Sequence, residues 1–157
     1  MSESTSPENT SSEGGLPVKT FSAVLDELIP ARGSALPGAG GLGLGAFVAD
    51  QLGEAAPLVA GALADLDARA EAAGAPDFAS LDAGDRGELL RAVAGAHPGF
   101  LETLIFHLYA GYYHHPQVME ALGLEGRPPF PKGYPLELGD LDLLDPVRQR
   151  PPLYREV

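Results

Sequence analysis

Three groups of residues in this chain have types and spacings that could do chemistry. The stretch GAGGLGLG, residues 38–45, sets Gly38, Gly40 and Gly43 at the spacing of a dinucleotide-binding fingerprint, where bare glycines let backbone approach a pyrophosphate. His107, His114 and His115 offer imidazole nitrogens to a metal ion. Asp140, Asp142 and Asp145, in GDLDLLD, offer carboxylate oxygens after the manner of a calcium loop.

Each chemistry makes demands on the surrounding elements. A nucleotide fingerprint needs a β-strand before it and an acid about 20 residues after it to hold the ribose. Before Gly38 stand a helical pattern and then the segment 31–41, with Gly33, Pro37, Gly38, Gly40 and Gly41, too many breakers for a regular element. These glycines are therefore expected to let a loop turn closely over neighbouring helices. His107 and His114 share a helix face but lie two turns apart, about 10 Å, so one ion cannot bridge them, and no carboxylate stands at ligand spacing among the three. The Asp run lacks the glycine at loop position six and the glutamate at position twelve, and reads as a polar face alternating with Leu141, Leu143 and Leu144. There is no Cys, and no Ser sits beside a His or in a G-x-S-x-G turn, so no nucleophilic triad is encoded.

The elements that carry these groups read as helices. In TFSAVLDELIP, Phe21, Val24, Leu25 and Leu28 fall at i, i+3, i+4 and i+7, with Thr20 as N-cap and Pro30 as stop. A second helix follows Gly43 with Leu44, Phe47, Val48 and Leu52 on its apolar face. Residues 56–73 form a third, with Leu58, Val59, Ala62, Leu63 and Leu66 inward. A fourth, capped by Asp82 or Ser80, turns Leu89, Leu90 and Val93 inward and Arg86 and Arg91 outward. The most apolar, opening with Pro98, carries Phe100, Leu101, Leu104, Ile105, Leu108, Tyr109 and Tyr112, and its apolar residues on nearly all sides imply a central helix or one covered by a partner. HPQVMEALG adds a short helix with Pro116 in its first turn and Gly123 at its end.

The fold expected is all-α: a small irregular bundle of five to six helices over residues 20–123, after an acidic disordered tail over 1–19, and before an extended Pro- and Tyr-rich segment over 124–157. The formal charge of −12 with only 10 Lys and Arg argues against nucleic acid and against anionic membranes. Without Cys there is no disulfide, thiolate metal site or iron–sulfur cluster. No window reaches the roughly 18 apolar residues of a membrane span, and no secretory or twin-arginine signal is visible.

All five Tyr lie between Tyr109 and Tyr154. An irregular segment rich in Tyr, Pro and Arg suits wrapping along another protein, where rigid aromatics supply contact at low entropy cost. The expected partner interface is Tyr109, Tyr112, Tyr113, His114, His115, Phe130, Tyr134 and Pro135, with no catalytic, cofactor-binding or metal-ligating residue in the chain.

The block RGELLRAVAGAHPGFLETLIFHLYAGYYHHPQVMEALGLEGRPPFPKGYP, with FSAVLDELIPARG and GAGGLGLGAFVADQL before it, resembles the gluconate 2-dehydrogenase subunit 3 family over roughly residues 20–140. Its most specific part is LYAGYYHHPQVMEALG followed by GYP. The resemblance implies a small helical, non-catalytic accessory subunit that folds with, stabilises or helps export a larger FAD-containing dehydrogenase subunit of the glucose–methanol–choline superfamily, acting on sugars, sugar acids or glycosides. It further implies a cytochrome subunit as an additional member of some complexes, and no nucleotide at GAGGLGLG. Many members of the family carry a twin-arginine signal and this sequence shows no Arg pair, so the expected location is the cytoplasm, or the periplasm when the larger partner carries the signal. Two alternatives stay open at this point: a stand-alone helical adaptor, and an enzyme that uses the His cluster with a metal.

Overall fold

The computed structural model describes residues 12–13, 15–128, 130–133 and 135–151. The chain divides into two compact units, 1–127 and 128–157. Among the described residues its regular structure is almost entirely helical, with seven α-helices and a single two-stranded ribbon.

In the first unit a short antiparallel ribbon, β1 (Ser12–Glu13) and β2 (Leu16–Pro17), precedes six helices. These are α1 (Val18–Leu28), α2 (Leu44–Gln51), α3 (Ala56–Ala72), α4 (Ala83–Ala96), α5 (Phe100–His114) and α6 (Pro116–Ala121). Helix α1 touches α2, α3 and α4, while α5 lies against α2, α3 and α6. The core forms where their apolar stripes meet: Phe21, Val24 and Leu25 of α1, Val48 of α2, Val59, Leu63 and Leu66 of α3, Val93 of α4, and Phe100, Leu104 and Leu108 of α5. Phe78, in a 3-10 turn between α3 and α4, is fully buried among them. The three- and four-residue spacing of each set places its side chains on one face of its helix, and removing these faces from water drives the association.

Polar contacts then fix how the helices dock. Thr20, expected as the cap of α1, lies inside the helix, which starts at Val18 with Pro17 at the cap position and no side-chain capping bond. Its buried hydroxyl instead donates to Asp67 Oδ1 at 2.7 Å, and the same oxygen accepts from the Phe78 amide at 3.0 Å. One carboxylate of α3 thus ties both α1 and the Phe78 turn. Leu16 is buried in the core, so the apolar body reaches further toward the N-terminus than a solvated tail over 1–19 would allow. Arg86, expected to face water, is half-buried and its Nε donates to Glu27 Oε1 at 2.7 Å, joining α4 to α1. Asp82 is the cap of α4, its side chain accepting from the Asp85 amide at 2.9 Å. Asp65 accepts from Arg69 Nε and Nη2 at 2.9 and 3.0 Å and lies 3.2 Å from His97 Nε2. Its hydrogen-bonded Arg69 holds the Asp65 carboxyl below the usual carboxylate range, with His97 assisting.

Gly38 and Gly40 have a packing cause. The Gly40 amide donates to Asp26 Oδ1 at 2.8 Å, and Ser22 Oγ donates to the Gly40 carbonyl at 3.0 Å, so this loop lies directly on α1. A Cβ on Gly40 would stand 2.4 Å from the Ser22 carbonyl oxygen, and one on Gly38 would stand 2.4 Å from Asp26 Oδ1. Gly43, at φ 67°, is the cap residue of α2, in the left-handed region that glycine adopts without strain.

Helix α5 begins at Phe100 rather than at Pro98. Gly99, at φ 87°, is its cap residue, and Pro98–Gly99 breaks the chain between α4 and α5. Helix α6 starts at Pro116 and closes with Gly123 at φ 79°, where the Leu124 amide returns to the Met119 carbonyl at 2.9 Å.

The second unit, taken by itself, has no buried side chain among its described residues. A 3-10 turn at Leu141–Leu144, capped by the Asp140 side chain on the Asp142 amide at 3.1 Å, runs into α7 (Asp145–Arg148). Arg148 Nη1 pairs with Asp145 Oδ1 at 3.0 Å across one turn.

Candidate functional site

Helix α5 carries two apolar faces of opposite fate. Phe100, Leu104, Leu108, Gly111 and Tyr112 point into the core. About 100° per residue around the same helix, Phe106, Tyr109 and Tyr113 stand outward, 72%, 47% and 53% exposed. The spacing of three and then four aligns these three rings as one stripe. Tyr109 and Tyr113 meet edge to face with centroids 5.9 Å apart, and Phe106 meets the His107 ring at 5.2 Å. Such offset contacts stiffen the stripe without covering it.

Beside the C-terminal end of α5 lies an almost wholly apolar cleft of about 450 Å³, floored by Leu44, Phe47 and Gly111 and bounded by His114, His115 and Pro116. Phe47, expected on the inner face of α2, is 43% exposed. Its ring comes close to α5 because residue 111 is glycine: a Cβ there would sit 2.7 Å from Phe47 Cδ1. The close approach of Phe47 at the cleft therefore depends on Gly111, beside Ala110 in a helix of mostly large residues.

The expected interface residues separate when placed on this frame. Tyr112 is a core residue, 2% exposed, and its hydroxyl donates to the Pro37 carbonyl at 2.8 Å, which ties the end of α5 to the loop after α1. Its assignment to a partner surface is corrected on that ground, because the ring is already covered by the chain's own helices. Burial first, and the neighbouring Tyr113 second, push the Tyr112 phenol above its ordinary value. Tyr109 and Tyr113 are on the exposed stripe. His114 is exposed with Nδ1 2.6 Å from the Ala110 carbonyl, and His115, the cap residue of α6, lines the cleft with Nδ1 buried and without a hydrogen-bond partner. Phe130 and Pro135 are exposed in the second unit, and Tyr134 lies outside the described residues.

Among the described residues, no group of three or more His, Asp and Glu side chains converges as a metal site would require. Asp140 is spent on a turn cap, over the Asp142 backbone amide, and Asp145 on an i,i+3 ion pair with Arg148. No helix among the described residues is long and apolar enough to cross a membrane.

Two members of the exposed surface, Phe106 and Phe47, are absent from the interface expected from sequence. Phe106 had a usable signal: once Phe100, Leu104 and Leu108 are taken as the inner stripe, position 106 must face away. Phe47 had none, because where its ring rests depends on a glycine on another helix 64 residues later.

The family model described as gluconate 2-dehydrogenase subunit 3 matches residues 18–127, from the first residue of α1 to the last of the first unit. No curated protein and no solved structure matches the chain.

Proposed function

We propose, from the premise that this chain belongs to the gluconate 2-dehydrogenase subunit 3 family, that it is a non-catalytic accessory subunit which binds and stabilises a larger FAD-containing dehydrogenase subunit. The larger subunit is of the glucose–methanol–choline type and oxidises a sugar, sugar acid or glycoside. FAD belongs to that subunit and this chain brings no cofactor of its own. A cytochrome subunit is a further member that such an assembly can include. The complex works in the cytoplasm, or in the periplasm when the larger subunit carries the export signal.

The observation that carries this reading is the exposed aromatic stripe of α5, Phe106, Tyr109 and Tyr113. Three large rings held on a rigid helix supply apolar contact with few rotamers to freeze, which is the economy of an interface anchor. The neighbouring cleft over Gly111 supplies a depression that can receive an apolar side chain from the partner. The polar groups nearby, His114 and His115, are placed to bound that depression. They are proposed to act in recognition alone, so replacing both by Ala leaves flavin reduction in the formed complex within a few-fold of the parent.

The test is co-expression with the flavoprotein of the neighbouring reading frame, recognised by an N-terminal G-x-G-x-x-G. The two should co-purify as a stoichiometric complex with bound flavin, and Tyr109→Ala with Tyr113→Ala should release the flavoprotein while leaving this chain folded. A flavoprotein that folds, loads FAD and turns over at full rate alone, with no affinity for this chain, refutes the proposal.

A further inference from the structure

Residues 136–147, LELGDLDLLDPV, combine two properties that neither the helical body nor the α5 stripe accounts for. Leu136, Leu138, Leu141, Leu143, Leu144 and Val147 are all exposed, Leu138 to 98%. Between them stand Glu137, Asp140, Asp142 and Asp145, with no Lys or Arg in the stretch. A merely solvated tail is poor in large apolar residues, whereas half of these twelve positions are Leu or Val. Part of the stretch is also shaped: the Asp140 cap and the Asp145–Arg148 pair hold residues 140–148 in consecutive helical turns. Leu141 and Leu144, three apart in a 3-10 turn, fall on one side of it.

The charge selects what can cover these leucines. Anionic lipid and nucleic acid repel a stretch of four carboxylates, of which Asp145 is paired with Arg148, and a second copy of the same segment would bring like charges face to face. The complementary surface is a protein groove with an apolar floor and a rim of Lys and Arg. We propose that residues 136–147 are a docking arm that lies in such a groove on the larger dehydrogenase subunit, the leucines giving contact and the carboxylates steering and register. This rests on the accessory-subunit reading, and adds to it a second attachment point independent of the α5 stripe.

The test uses the full chain and the purified larger flavoprotein subunit, with binding measured at low and raised salt. Leu141→Ser with Leu144→Ser should weaken binding by about tenfold or more with helical content unchanged. Asp140→Asn with Asp142→Asn, which keeps the cap oxygen, should slow association and flatten its salt dependence. If the parent binds and both variants match it in affinity and salt dependence, the arm is refuted and the accessory reading stands. If the parent does not bind at all, both fall together. Loss of α5 amide protection in the free Leu variant, or loss of a concentration-dependent dimer, would assign the leucines to the chain's own body or to a second copy, and would equally overturn the arm.

Discussion

Tyr112 and Tyr113 are neighbours in the chain and have opposite environments. Tyr112 is covered by the helical body and hydrogen-bonded to Pro37, whereas Tyr113 stands in the exposed stripe with Tyr109 and Phe106. The same contrast holds for Phe100 and Phe106 on the same helix. Residue type is equal on the two faces, so the difference comes from the 100° step between consecutive helical residues and from which side of α5 meets α2 and α3. One face is committed to stability and the other is left to do something else.

The largest test of that division is Phe100→Ala against Phe106→Ala. The first should cost about 3–5 kcal/mol of unfolding free energy by urea titration, as expected for emptying a buried aromatic site. The second should stay within about 0.5 kcal/mol, as for a surface change. Equal costs would break the comparison. Next in size, Tyr113→Ala should weaken binding to the larger flavoprotein subunit by about 2 kcal/mol, roughly 30-fold, with the unfolding midpoint unmoved. A shifted midpoint with unchanged binding would move Tyr113 to the structural side.

A smaller and sharper pair removes only hydroxyls. Tyr112→Phe deletes the bond to the Pro37 carbonyl and strands that acceptor, for about 1 kcal/mol, while Tyr113→Phe should be silent in stability. The smallest effect is in pH. The Tyr112 phenol is raised above its ordinary value of about 10, so its neutral form is favoured in the folded state. Its contribution is fully present below the ordinary value and is lost as pH rises through the raised one. Stability of the parent should therefore fall more steeply on the alkaline side than that of Tyr112→Phe. Superimposable alkaline limbs would show that burial leaves the phenol untouched.

Much of the helical plan is legible in the sequence, because apolar positions three and four apart reach burial through geometry local to each helix. Phe21 and Val24, Leu63 and Leu66, and Leu90 and Val93 are examples, and all are in the core. Gly123 at the end of α6 and Asp82 at the start of α4 are also local signals, each acting within one turn. The misreadings share one feature: the deciding atom lies far along the chain. Arg86 turns inward because Glu27 stands across from it, and Thr20 leaves the cap role because Asp67 accepts its hydroxyl. The candidate face was half legible. Its Tyr109 and Tyr113 stand out by composition, while the burial of Tyr112 turns on helix phase, which aromatic density does not report.

The sequence by itself determined the all-α class, the positions of the breaks and the family, since periodicity, caps and prolines act over a few residues and the family's motifs are written in order along the chain. Only the tertiary structure decided which apolar stripe of α5 is covered, that a cleft opens where Phe47 crosses Gly111, and that Gly38 and Gly40 are bare because Asp26 and the Ser22 carbonyl occupy the space. Those outcomes are set by contacts between helices, whose partners the linear order of residues does not name.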